Sequence, residues 1–151
     1  MTQASLELLA GRSDVWRFLA EPYHLPDWWP GIVGVEPDRR GFAPGARWKV
    51  LINTSNPFTG RIARETTLLV RDVDPFERWS WHLLARKLDV EIRLRTVSEA
   101  RTLVSINTSR GRSALPRTAL SRLYDLCQTA ADASCWTSAT TRSRLPRSSS
   151  R

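Results

Sequence analysis

Lys87-Leu-Asp-Val-Glu-Ile-Arg-Leu-Arg-Thr-Val97 is the stretch that decides the fold. Leu88, Val90, Ile92, Leu94 and Thr96 alternate with Lys87, Asp89, Glu91, Arg93 and Arg95. Successive side chains of a strand point to opposite faces, so this pattern describes a strand with one dry face and one wet face. Strands of parallel sheets are covered on both faces and read as continuous apolar runs. The sheet is therefore predicted to be antiparallel, with one side open to water.

The same period extends outward in both directions. After it, Thr102, Val104, Ile106 and Thr108 share one face of a strand over Arg101–Thr108. Before it, Trp79, Trp81 and Leu83 share a face, as do Ile62, Arg64, Thr66, Leu68 and Val70, and Ala46, Trp48, Val50 and Ile52. Turn residues join them: Asn56-Pro57 with Gly60, Asp74-Pro75, and Glu99-Ala100. This reads as a meander of hairpins. Ile32 to Val35 and Gln3 to Leu9 add further strands, about six or seven in all.

Three segments break the period. In Arg12 to Glu21, Val15, Phe18 and Leu19 define one buried helical face, Ser13 is the expected N-cap and Asp14 lies in the first turn. Pro22 ends that helix, and His24-Leu-Pro-Asp-Trp-Trp-Pro-Gly31 suits one short helical turn. Beyond Pro116, Leu120, Leu123, Tyr124, Cys127, Ala130 and Ala131 recur at three and four residues, a helix of about 18 residues. That helix carries the long apolar stripe needed to cover the dry face, so the sheet should curl around it. The predicted class is α+β: a curved antiparallel sheet wrapped around a long C-terminal helix, with two short helices after the first strand.

The order of elements resembles the START-like (SRPBCC) superfamily with its helix-grip fold, and within it the polyketide cyclase/dehydrase-like branch. The resemblance rests on Asp14-Val-Trp-Arg-Phe-Leu-Ala20, Leu25-Pro-Asp-Trp-Trp-Pro30, Pro44-Gly-Ala-Arg-Trp48, Val73-Asp-Pro-Phe-Glu-Arg-Trp79 and the closing helix. It covers roughly residues 3–133. It implies a deep cavity between sheet and helix for lipid-like, polyketide-like or other apolar molecules; some relatives catalyse ring closure and dehydration, and many only bind or carry. Two departures stand out: the first strand is short, so one sheet edge should be abbreviated, and the C-terminal segment has no counterpart.

That segment, Ser134–Arg151, holds nine Ser or Thr and four Arg with no acid, and is expected to be a flexible basic tail after a single domain at 1–133. The charge is uneven along the chain. Residues 1–100 carry 14 basic and 13 acidic residues, a net of +1; residues 101–151 carry nine Arg against Asp125 and Asp132, a net of +7. A nearly neutral body argues against a domain built to bind a specific nucleic acid. The chain has no run of about 20 apolar residues to span a bilayer, and Met1 to Leu9 does not read as a signal peptide. The two cysteines, Cys127 and Cys135, are too few for a disulfide framework, so a reduced, cytoplasmic setting is expected.

Seven tryptophans are many for 151 residues. Trp48, Trp79 and Trp81 fall on inner strand faces and are candidates to line a ligand site, with Val90, Ile92 and Leu120 as apolar wall. Arg64, Thr66 and Tyr124 are the candidate polar contacts; Arg64 sits on the dry face, where a guanidinium needs a partner such as a ligand carboxylate. Trp28 and Trp29 flank the second helix and are candidates for a lid. His24 and His82 have no orienting acid at a recognisable spacing, so no catalytic residue is assigned. No metal-ligand cluster and no cofactor motif is present. The expected function is binding or carrying a small hydrophobic ligand. The alternatives are a cyclase or dehydratase acting on such a ligand, and an interaction module using the basic C-terminal half.

Overall fold

A computed structural model describes residues 2–58, 60–110 and 114–128. Strand β1 (Thr2–Leu8) leads into helix α1 (Arg12–Ala20), a 3-10 turn at Pro22–His24 and helix α2 (Leu25–Trp28). Strands β2 (Ile32–Glu36), β3 (Arg47–Asn56), β4 (Gly60–Asp74) and β5 (Arg78–Leu83) follow. A second 3-10 turn, Leu84–Arg86, precedes β6 (Leu88–Ser98) and β7 (Arg101–Thr108). Residues 114–128 are helical and are called α3. The outer part of the predicted C-terminal helix, with Ala130 and Ala131, and the segment from Ser134 onward lie outside the described residues.

The seven strands form one sheet in the order β1-β7-β6-β5-β4-β3-β2, with every neighbouring pair antiparallel. From β2 onward each strand pairs with the next in sequence, the predicted meander. Helices α1 and α2 carry the chain from β1 at one edge to β2 at the other. The abbreviated first edge is not found. β1 pairs along its whole length with β7, from Thr2 opposite Thr108 to Leu8 opposite Thr102.

The alternation in β6 divides as expected over most of its length: Leu88, Val90, Ile92 and Leu94 are buried, while Asp89 and Arg93 are exposed. Thr96, toward the far end of the strand and next to a register shift, is exposed. In β4 the inward positions change partway along. Leu68 and Val70 pair with Leu83 and Trp81, then the register shifts and Val73 pairs with Trp79. An extra residue in one strand of a pair bends it, and here it turns Val73 toward the core after Leu68 and Val70.

The core is closed from above by Ala119, Leu120 and Leu123 of α3 and by Val15, Trp16 and Leu19 of α1. Full burial of a Leu or Val side chain contributes about 1.5–3 kcal/mol. α1 differs from its expected setting. Its N-cap is Gly11 with no side-chain cap, not Ser13. Phe18 is only half-buried and stacks on His24 with ring centroids 4.2 Å apart, while Trp16 takes the core position. Gly11 is close-packed: a Cβ there would lie 2.7 Å from the Glu99 carbonyl oxygen in the β6–β7 turn.

Candidate ligand-binding site

Trp28, Trp29, Trp48, Trp79 and Trp81 are all fully buried. Their rings form one continuous cluster: Trp29 meets Trp81 edge-on at 4.9 Å, Trp81 lies 6.1 Å from Trp79, and Trp79 lies 5.9 Å from Trp48. Phe42, from the loop between β2 and β3, closes one side of it, with its ring 4.5 Å from Trp79 and 5.6 Å from Trp16. Offset and edge-to-face geometries of this kind add to the area each ring buries. Trp28 and Trp29 therefore sit in the core. They do not form an exposed lid, because α2 is short and turns both indoles beneath the chain that follows.

The polar ends of these rings are unequal. Trp48 Nε1–H donates to the Gly41 carbonyl at 2.6 Å. The Nε1–H groups of Trp28, Trp79 and Trp81 are buried with no acceptor among the described residues. A buried donor left unpaired costs about 1–3 kcal/mol, so three in one aromatic cluster are a strong demand for acceptor atoms. Val90, Ile92 and Leu120 are buried in the same core, and Tyr124 is half-buried beside it.

Arg64 keeps the predicted register, directly opposite the buried Ile52, yet it is exposed. β4 is longer than its neighbour: pairing with β5 begins only at Leu68, so the stretch before it is flanked by β3 alone. Ile62 and Ala63 are exposed with it. The expectation of a buried guanidinium is therefore corrected by strand length, with no slip of register. Thr66 is half-buried, and its hydroxyl already accepts the Ala85 N–H at 3.0 Å. Its role is to hold the Leu84–Arg86 turn.

A groove of about 510 Å³ opens beside this turn. Pro30 follows α2, Arg86 ends the turn, Leu88 begins β6, Arg110 follows β7, and Ala114, Leu115 and Thr118 come from α3. None of the nine predicted ligand-contact residues lines it. Leu88 is buried and Leu115 half-buried in the same core as the tryptophans, so the apolar floor of the groove is continuous with the aromatic cluster. Sequence patterning gives no signal for Arg86 or Arg110, because they lie in connections and converge only through the fold.

The histidines divide. His24 Nδ1 lies 3.0 Å from the Phe18 carbonyl oxygen, a structural bond between α1 and the turn. His82 does have an acid beside it: its Nδ1 is 2.7 Å from Asp89 Oδ1, its register partner on β6. Pairing across strands supplied an orienting group that sequence spacing concealed. The pair lies on the face of the sheet opposite the tryptophans, and Asp89 also meets Arg71 at 3.6 Å. Cys127 is half-buried, and burial, with Asp14 nearby, pushes its thiol pKa up. No group of three or more metal-ligating side chains occurs among the described residues.

This arrangement, a meander sheet with two short helices after its first strand and a helix across its inner face, decides the architecture. The fold is a helix-grip fold. No family model matches the sequence, and a search of curated proteins finds no match. Solved structures do match. Norcoclaurine synthase of Thalictrum flavum, as a point mutant with a transition-state analogue, superposes with a TM-score of 0.62 at 15% identity, covering 85% of this chain and 93% of that one. The di-domain ARO/CYC StfQ of the steffimycin biosynthetic pathway gives 0.61 at 20% identity, over 86% of this chain and 44% of its own. XoxI of Bacillus cereus gives 0.62 at 13% identity, over 84% and 94%. At such identities the likeness is one of helix-grip architecture. Among the described residues, no helix is long and apolar enough to cross a membrane.

Proposed function

We propose that this protein binds or carries a small hydrophobic molecule bearing hydrogen-bond acceptors, held between the sheet and α3. The observation that carries the reading is the set of three buried indole N–H groups, on Trp28, Trp79 and Trp81, that have no acceptor among the described residues. A planar ligand with carbonyl or phenol oxygens would stack on the rings and accept from the donors. The similar structures agree with this at the level of fold: one holds a transition-state analogue, and another belongs to a biosynthetic pathway.

Binding is favoured over ring closure or dehydration. General acid–base catalysis needs a titratable group within hydrogen-bond reach of the reacting atom. The fully buried polar side chains among the described residues are Thr102 and Thr108, and both hydroxyls bond to backbone carbonyls of Ala10 and Thr2. His82 and Asp89 lie on the other face.

The test is native mass spectrometry of the full chain as purified, followed by extraction and identification of whatever is bound. A stoichiometric apolar molecule with carbonyl or hydroxyl groups is the expected result. No bound molecule, with no thermal shift across a panel of lipids and aromatic polyketides, overturns the reading.

A further inference from the structure

We propose that the groove beside the Leu84–Arg86 turn is the seat of an oxyanion, so that the ligand is an amphiphile with an acidic head and an apolar body. The proposal rests on the binding function above and assigns its ligand class. Arg86 and Arg110 line the groove, and among the described residues no acidic one lines it with them. Neither guanidinium forms an ion pair among the described residues. Arg86 donates Nη2–H to the Asn53 carbonyl at 3.2 Å, a neutral acceptor that does not compensate its charge.

The surrounding chain makes these two charges local. Arg86 belongs to residues 1–100, which carry a net of +1, and Arg110 to residues 101–151, which carry +7; Asp89, next in sequence to Leu88, is committed to His82 and Arg71. Guanidinium groups recognise carboxylate, sulfonate and phosphate oxygens through paired, charge-assisted hydrogen bonds. Leu88 and Leu115 provide the floor on which an apolar body continues toward the tryptophans. A groove of about 510 Å³ lies within the usual range of small-molecule sites, roughly 300–1,000 Å³.

A pair of dyes separates head from body. 1-Anilinonaphthalene-8-sulfonate and N-phenyl-1-naphthylamine share one aromatic frame, and only the first carries a sulfonate. Fluorescence titration of the full chain at low salt should show the sulfonate dye binding about tenfold more tightly, the gain expected of a charge-assisted contact in a partly open site. Arg86→Gln and Arg110→Gln should each remove several-fold of that preference and leave the neutral dye unchanged. Arg117→Gln, an exposed charge of α3 outside the groove, should change neither. Equal binding of both dyes by the unaltered protein would reject the oxyanion seat while leaving hydrophobic binding in place. So would equal losses in Arg117→Gln and Arg110→Gln. Failure of both dyes to bind would remove the binding function together with the seat.

Discussion

Thr66 and Ala85 are tied across two strands: the Ala85 N–H donates to Thr66 Oγ1 at 3.0 Å, nineteen residues away in sequence. This bond holds the Leu84–Arg86 turn against β4 and so sets where Arg86 stands. Lys87, which ends the turn, adopts a left-handed conformation with φ of 48°, so the turn needs outside support.

Thr66→Val keeps the side-chain shape and removes the acceptor. A hydrogen bond at the surface contributes about 0.5–1.5 kcal/mol, and this one should fall at the low end. The expected result is a small loss of stability by urea denaturation and a larger proportional loss in sulfonate-dye affinity, because the turn carrying Arg86 is loosened. Unchanged dye affinity would show that the turn is held by other contacts.

Gly11→Ala should destabilise the fold by about 1–3 kcal/mol, the usual range for overpacking a filled site. The cause is steric and not conformational. The backbone φ at Gly11 is an ordinary −68°, but the added methyl would lie 2.7 Å from the Glu99 carbonyl oxygen. Either the start of α1 or the β6–β7 turn must move. Equilibrium urea unfolding checks this, and a stability equal to that of the unaltered protein would mean that the turn yields freely.

Asp38 organises the loop that carries Phe42. Its carboxylate accepts the backbone N–H groups of Arg40 and Arg47, both at 2.9 Å, and the Arg47 N–H is the largest influence holding its pKa below the ordinary carboxylate value. A carboxyl whose pKa is lowered by folding contributes stability above its unfolded pKa and loses it as the pH falls through the folded one. Asp38→Asn should therefore melt below the unaltered protein at about pH 7, and the two should converge near pH 2. A difference in melting temperature that persists at low pH would assign the effect to something other than this charge. The loop matters because Gly41 receives the Trp48 indole and Phe42 covers Trp79.

Much of the fold was legible because a strand has a period of two and a helix a period near four. Every inward residue assigned to β3, β5 and β7 is buried, and β6 departs only at Thr96. Arg64 shows where this reasoning stops. Alternation put it on the face shared with Thr66 and Leu68, but alternation carries no information on which part of a long strand is covered. Trp16 and Phe42 escaped notice for a related reason: one lies beside the predicted helical stripe and the other in a loop, and each joins the aromatic cluster only through packing.

What the sequence by itself determined is the architecture: an antiparallel sheet with one dry face, a helix to cover it, and tryptophans on the inside. Burial of apolar surface is dictated by local pattern, so it can be read locally. The tertiary structure alone decided which polar groups meet. It left three indole donors without acceptors among the described residues, set His82 beside Asp89, and brought Arg86 and Arg110 to one groove from separate connections. Hydrogen bonds and ion pairs act over a few ångströms between residues far apart in the chain, so their partners exist only once the sheet has closed on its helix.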